Sequence, residues 1–312
     1  MLTLAGFLAP YFIAFGAYPL LVGRVTFPWM VPVGTCFLII WSPWLIPSGS
    51  SVLRFLASIS AAMLALKVID VSIDLKKRRL LSWQQYVHFL ANPFTHVRRS
   101  LVHERRPQLE ENLLRLVQGS IGCAIAVATL FGLYIVDWSG IPFLIEHVSK
   151  VVSLMLAISS GLTGAAAIWR LGGGTARDFM NKPFAARTPA DFWRRYNRNV
   201  QQFFRYNVFN GNEGRRKPIR TMLLVFALSA LLHELIFLAA VGRVQGYQTA
   251  FFVLQGLAAA STARVKVKGW PVVPWMIGTL AFNLLPSVLF FASINGVAPF
   301  YSRGLPVWLR GW

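Results

Sequence analysis

A histidine and a glutamate stand side by side, His233-Glu234, in a run of otherwise apolar residues that includes Leu231, Leu232, Leu235, Ile236 and Phe237. An imidazole and a carboxyl group are costly at depth in hydrocarbon, so an ionisable residue inside a membrane span marks a functional site by default. A neutral imidazole can take a proton from a hydroxyl near neutral pH, which makes His233 the first candidate for a general base. The alternative for the same side chain is a structural histidine hydrogen-bonded to a neighbouring helix. Glu234 points about 100° away from His233 on a helix and cannot orient that ring; it is left to pair with a cation or to be protonated. No second histidine follows four residues after His233, so the zinc-binding HExxH arrangement is absent.

Upstream lies a polar, arginine-rich segment. Thr188-Pro189-Ala190-Asp191 reads as a helix start, with Thr188 as N-cap, proline at the first helical position and an acid near the positive end of the dipole. Phe192, Tyr196, Val200 and Phe203 then recur at near-helical spacing. The spacing predicts one helix at the bundle surface, ended by the turn residues Asn210-Gly211-Asn212-Glu213-Gly214. Trp193 and Asn197 share an adjacent strip, and Arg194, Arg195, Arg198 and Arg205 occupy the rest. Just before this helix, Gly172-Gly173-Gly174 reads as a turn, with an anion nest as the sharper alternative.

The elements that must hold these residues are membrane spans. The chain is 55% hydrophobic and 13% charged, and its apolar residues come in long runs. Windows of about 20 residues give eight candidate spans, near residues 4–22, 28–46, 52–69, 113–136, 141–169, 221–241, 249–262 and 272–294. The N-terminal window lacks a basic leader and a convincing cleavage site, so it reads as a retained span. The net charge of +20 would suggest nucleic acid in a soluble protein. Here the excess Lys and Arg lies between spans, which favours membrane orientation, anionic lipid or an anionic cosubstrate and excludes nucleic acid as the partner. With eight spans the basic loops fall on one side, cytoplasmic by the positive-inside rule, and both termini face outward.

Two cytoplasmic loops, 72–112 and 171–219, are long enough to carry structure, and 1–312 reads as one integral membrane domain. The first loop opens with Lys76-Lys77-Arg78-Arg79 and continues through Leu80, Leu81, Trp83, Tyr86, Val87, Phe89 and Leu90, the texture of a helix lying in the interface. Lys67 is placed to pair with Asp70 at i,i+3. Asp70-x3-Asp74 is similar to a fragment of a magnesium-binding aspartate motif, but a second aspartate cluster is missing. Asn283 and Ser287 suit hydrogen bonding between helices. His88, His96, His103 and His147 take surface or interface roles by default, and Cys36 and Cys123 read as structural thiols without metal-ligand spacing.

The order Pro183-Phe184, then Thr188-Pro189-Ala190-Asp191-Phe192-Trp193-Arg194-Arg195-Tyr196-Asn197, then Ser229-Ala230-Leu231-Leu232-His233-Glu234-Leu235 in an apolar helix, resembles the membrane-bound O-acyltransferase superfamily, in its wax synthase-like branch. The resemblance covers Pro183 to Phe237, and Tyr196 stands where the family more often has tryptophan. It implies an all-α, multi-pass transmembrane bundle of about eight spans with interfacial amphipathic helices on the cytoplasmic side. The activity implied is transfer of an acyl group from acyl-CoA to the hydroxyl of a lipophilic alcohol, with acyl-CoA as cosubstrate and no further cofactor.

In that scheme His233 is the general base, and Asn197 polarises the thioester carbonyl or holds the acceptor. Trp193, Arg194, Arg195, Tyr196, Arg198 and Glu234 are the expected substrate contacts, the arginines suiting the phosphates of a CoA polyanion. Membrane lipids are the remaining partners. The competing class is a multi-pass transporter or lipid-binding protein without acyl transfer. Against it, the spans show no evident internal repeat and few paired intramembrane charges.

Overall fold

The computed structural model describes residues 2–23, 29–76, 81–99, 108–209, 214 and 216–310, and among them there is no strand. Each expected window is helical. The first is α1 (Leu2–Gly16) continued by α2 (Tyr18–Val22); the second is α3 (Met30–Trp41). There follow α4 (Ser51–Lys76), the short α5 (Trp83–Ala91), and the long pair α6 (Leu109–Ile135) and α7 (Phe143–Leu171). The polar segment forms α8 (Pro189–Arg195) and α9 (Arg198–Phe204), and the chain ends in α10 (Pro218–Val241), α11 (Tyr247–Thr262), α12 (Val272–Leu284) and α13 (Ser287–Val297).

Six of these stretches are long and apolar enough to cross a membrane: Leu2–Val22, Ser51–Leu75, Leu109–Ile135, Phe143–Leu171, Pro218–Val241 and Val272–Val297. The other two windows are shorter helices. At about 1.5 Å per residue, the 16 residues of α11 reach about 24 Å, against a hydrocarbon core of about 30 Å. In the last window Pro286 divides α12 from α13, because a proline has no N–H to continue the ladder.

Hydrogen bonds gather the basic segments at one end of the bundle. Asn92 Nδ2 donates to Thr175 O (2.8 Å), Arg115 and Arg170 both pair with Asp178, and Arg187 reaches Val267 O (3.0 Å). The amphipathic α5 lies at this end. Its start carries a reciprocal Ser82–Gln85 capping box, its buried face is Tyr86, Phe89 and Leu90, and Trp83 stays exposed.

Two expectations are corrected here, for Lys67 and for the histidines. Lys67 does not pair with Asp70; its buried ammonium donates to Phe89 O (3.1 Å), Leu90 O (2.9 Å) and Asn92 O. Carbonyls left unpaired at a helix C-terminus attract a cation, and three of them outweigh one carboxylate on the same helix. Asp70 and Asp74 are committed to Arg98, Arg99 and Asn207, a use quite different from metal binding. His96 and His147 are buried at 2% and 0% exposure, whereas His88 keeps its expected surface position. Lys77, Arg78, Arg79, His103 and the 210–213 turn lie outside the described residues.

At the opposite end, a buried Lys150–Glu146 pair (2.6 Å) ties α7 to the segment after α13. Lys150 donates to Phe300 O and Ser302 Oγ, both at 3.0 Å, Glu146 accepts from Ser302 N (2.7 Å), and Tyr247 of α11 reaches Leu309 O (2.5 Å). Between the two ends, α6 and α7 pack backbone to backbone. A Cβ on Gly119 would lie 2.6 Å from Gly164 N, so only glycine allows this approach.

Candidate active site

A cavity of about 850 Å³ lies between α7, α8, α9, α10, α11 and the α12–α13 junction, with a predominantly apolar wall. His233 and Asn197 both line it, together with Trp193, Arg194 and Tyr196. Two segments far apart in sequence therefore converge on one space.

His233 is carried about four turns into α10. Its Nδ1 lies 2.8 Å from Ser229 O, the carbonyl four residues back. A carbonyl only accepts, so Nδ1 carries the hydrogen and Nε2 keeps its lone pair. The ring packs against Phe252 (centroids 4.5 Å apart) and Phe290 (5.9 Å), which fix its plane. No hydrogen-bond partner for Nε2 occurs among the described residues, so the ring is held as a neutral acceptor in the cavity wall.

The polar segment is not the single helix its periodicity predicts. It breaks after Arg195, and Asn197 has φ +41°. Asparagine is one of the few non-glycine residues that tolerate this left-handed region. Asn197 Oδ1 accepts from Val200 N (3.3 Å) and so caps α9, while Nδ2 has no partner among the described residues. The expected Thr188 cap is present, its hydroxyl accepting from Asp191 N (3.1 Å).

Trp193 packs edge-on to Phe226 (5.4 Å) and donates from Nε1 to Gln255 Oε1 (3.0 Å), which pins α8 across α10 and α11. Tyr196 stacks on Phe192 (5.4 Å, 14°) and donates to Met155 Sδ (3.9 Å); burial pushes its phenol up, so it stays protonated. Arg194 is exposed at the rim and pairs with Asp191 (3.3 Å). Burial works against ionisation of Asp191, but the hydrogen bond from Arg187 N and the adjacent Arg195 and Arg194 hold its carboxyl below the usual range.

Three expected contacts are elsewhere. Arg195 turns back onto Asp191 (3.0 Å). Arg198 is absent from the cavity wall, and its backbone N–H donates to Phe179 O (2.8 Å). Glu234 points away from the cavity, as its 100° offset from His233 requires. Its carboxylate accepts from Gln245 N (2.8 Å), Gly246 N (2.7 Å) and Thr249 N (3.3 Å), bracing the turn into α11.

Sequence reasoning missed the polar network behind the far wall. Ser287 lines the cavity, and its hydroxyl donates to Leu284 O (2.6 Å) and lies 3.0 Å from His147 Nε2. His147 Nε2 is also 3.0 Å from Leu284 O, and Nδ1 is 2.7 Å from Tyr301 OH. The only signal available was the pair of polar residues Asn283 and Ser287 in an apolar span. Among the described residues there is no group of three His, Cys, Asp or Glu side chains close enough to hold a metal ion.

These features define a polytopic membrane protein with a base-ready histidine in the wall of an apolar cavity. A model of MBOAT, the membrane-bound O-acyltransferase family, matches residues 123–291, more than half of the chain, including α8, α9 and His233. The chain belongs to the membrane-bound O-acyltransferase family and is a membrane-bound acyltransferase. No curated protein matches it.

Proposed function

We propose that the protein transfers an acyl group from acyl-CoA to the hydroxyl of a lipophilic alcohol, in the manner of a wax ester synthase. The observation that carries this reading is the state of His233: Nδ1–H is spent on Ser229 O, and the Nε2 lone pair is left for a proton in an apolar cavity.

The alcohol O–H gives its proton to His233 Nε2 while its oxygen attacks the thioester carbonyl. The carbonyl oxygen becomes an oxyanion, for which Asn197 Nδ2 is an available donor. Collapse breaks the C–S bond, the ester forms, and the CoA thiolate takes the proton back from the imidazolium. No covalent acyl-enzyme is needed. Arg194 and Arg205, at the basic end of the cavity wall, suit the CoA phosphates. The positive-inside rule supports a cytoplasmic position for that end, and the apolar wall suits an acyl tail and a lipid alcohol arriving from the membrane. On this reading Trp193 and Tyr196 shape the donor's path, whereas Arg195, Arg198 and Glu234 act on the fold.

The test offers labelled acyl-CoA and a mixture of lipid alcohols to the purified protein in nanodiscs, with His233→Ala as the control. An ester product lost in the variant is expected, and its mass identifies the acceptor. No product from any donor by demonstrably folded protein would return weight to transport or to a different acyl carrier.

A further inference from the structure

A buried ion cluster at the basic end reaches the cavity mouth, and the chemistry above makes no use of it. Asp70 is fully buried and accepts from Arg98 N (2.9 Å), Arg99 (2.8 Å) and Asn207 Nδ2 (2.9 Å). Arg99 also donates to Asn207 Oδ1 (2.5 Å) and lies 5.9 Å from the centre of the Tyr206 ring. Both halves of one amide are thus engaged: its N–H₂ by a carboxylate, its oxygen by a guanidinium. Few side chains other than an amide can satisfy both at once.

Asn207 is the middle residue of a π-helical turn, Arg205–Phe209, that follows α9. Such turns are rare and need an external reason to persist. Both ends of this one, Arg205 and Phe209, are in the cavity wall, and Tyr206, Val208 and Phe209 also pack against the core around Leu66 and Val97. Without its anchor the turn would relax toward α-helical register, which rotates a residue by about 100° per position lost.

We propose that Asn207 is a positioning residue for the donor end of the cavity: gripped by the buried Asp70–Arg99 pair, it keeps the π-helical turn in the register that presents Arg205 and Phe209 to the acyl donor. This rests on the acyl-CoA reading of the site. Asp70 and Arg99 act through Asn207 and touch no substrate.

The test compares the full-length protein with Asn207→Leu, Asn207→Asp and the double exchange Asp70→Asn/Asn207→Asp, all in nanodiscs. The exchange swaps carboxylate and amide, so Arg99 keeps a carboxylate and the hydrogen bond between positions 70 and 207 is rebuilt in reverse. Two readouts are taken: KM and kcat with acyl-CoA varied, and hydrogen exchange of the 205–209 amides. Each single variant should raise KM for acyl-CoA about tenfold with kcat within about twofold, and lose amide protection in the turn. The double exchange should restore both to within about threefold of the starting protein.

Asn207→Leu with unchanged KM, a fall in kcat alone, or a folded double exchange no better than Asn207→Asp would overturn the proposal. If the single variants do not fold, the double exchange decides by its KM. Amide protection needs no substrate. Protection lost in Asn207→Leu and regained in the exchange, in a protein that transfers no acyl group, would therefore sink the acyl-CoA reading and keep the anchor.

Discussion

Two histidines sit within this bundle, and their hydrogen bonds make them chemically opposite. His233 donates from Nδ1 to a carbonyl of its own helix, and its Nε2 has no partner in the cavity among the described residues. At His147 the carbonyl of Leu284 faces Nε2, so that nitrogen carries the hydrogen, and Nδ1 must accept from Tyr301. Ser287 takes up what remains of the Nε2–H. One ring ends with an unused lone pair, and the other has both nitrogens consumed. Whether a buried histidine is free to accept a proton depends on which atoms its neighbours leave over, and burial by itself decides nothing.

The comparison breaks most visibly through the free ring. His233→Ala should lower acyl transfer by about 10²–10⁴-fold, the usual worth of a general base, with little change in unfolding temperature. An active variant would remove the proton-transfer role. Next comes Asn197, where backbone and amide can be separated. Asn197→Gly keeps the left-handed φ and should reduce transfer by about 10²-fold if Nδ2 serves the oxyanion; Asn197→Ala should add about 1–3 kcal/mol of strain. Equal rates for Asn197→Gly and the parent would assign the residue to capping alone.

His147→Ala should do the reverse of His233→Ala. Leaving Leu284 O, Ser287 and Tyr301 without their partner should cost about 2–4 kcal/mol in thermal unfolding, while each folded molecule keeps its turnover within a few-fold. Lost turnover at unchanged stability would make His147 part of the chemistry.

The smallest effect belongs to His96, outside the spans. Burial first, then the charge of Lys67, pushes its imidazole down to about 3 from an ordinary 6.5. The folded protein therefore binds fewer protons here than the unfolded chain once pH falls below about 6.5. Stability should decline on acidification by roughly 1–2 kcal/mol at pH 5. Unfolding temperatures of the parent and His96→Gln across pH 5 to 7 check this, and the variant should show the flatter profile.

The sequence made His233 legible as a candidate because an imidazole is costly in an apolar run and so stands out there. It also made the segment at Asn197 legible, but as one helix. Phe192, Tyr196 and Val200 keep their facing across the break, since periodicity reports where side chains point and says nothing about whether the ladder between them is intact. His147 was illegible for a different reason. Its partners lie 137 to 154 residues away, so no local pattern distinguishes it from an interfacial residue. Lys67 misled in the same way: a carboxylate three residues on looked decisive, while the carbonyls that hold it come 22 to 25 residues later. The helices were read well because length and hydropathy alone decide them. Arg195, Arg198 and Glu234 lie off the cavity wall in a way spacing could not show, because a side chain's direction depends on a bend in the backbone.

The glycine contact that fuses α6 to α7 has one further consequence. The two helices, of 27 and 29 residues, extend about 40 Å and 43 Å, well beyond a hydrocarbon core of about 30 Å. Because their backbones touch at Gly119 and Gly164, any tilt of one helix is shared by the other. Since α7 also carries Val151 and Met155 of the cavity wall, a tilt of the hairpin would move that side of the cavity. A bilayer of different thickness should therefore shift that wall, and acyl-transfer rates in nanodiscs of short- and long-chain lipids would report it.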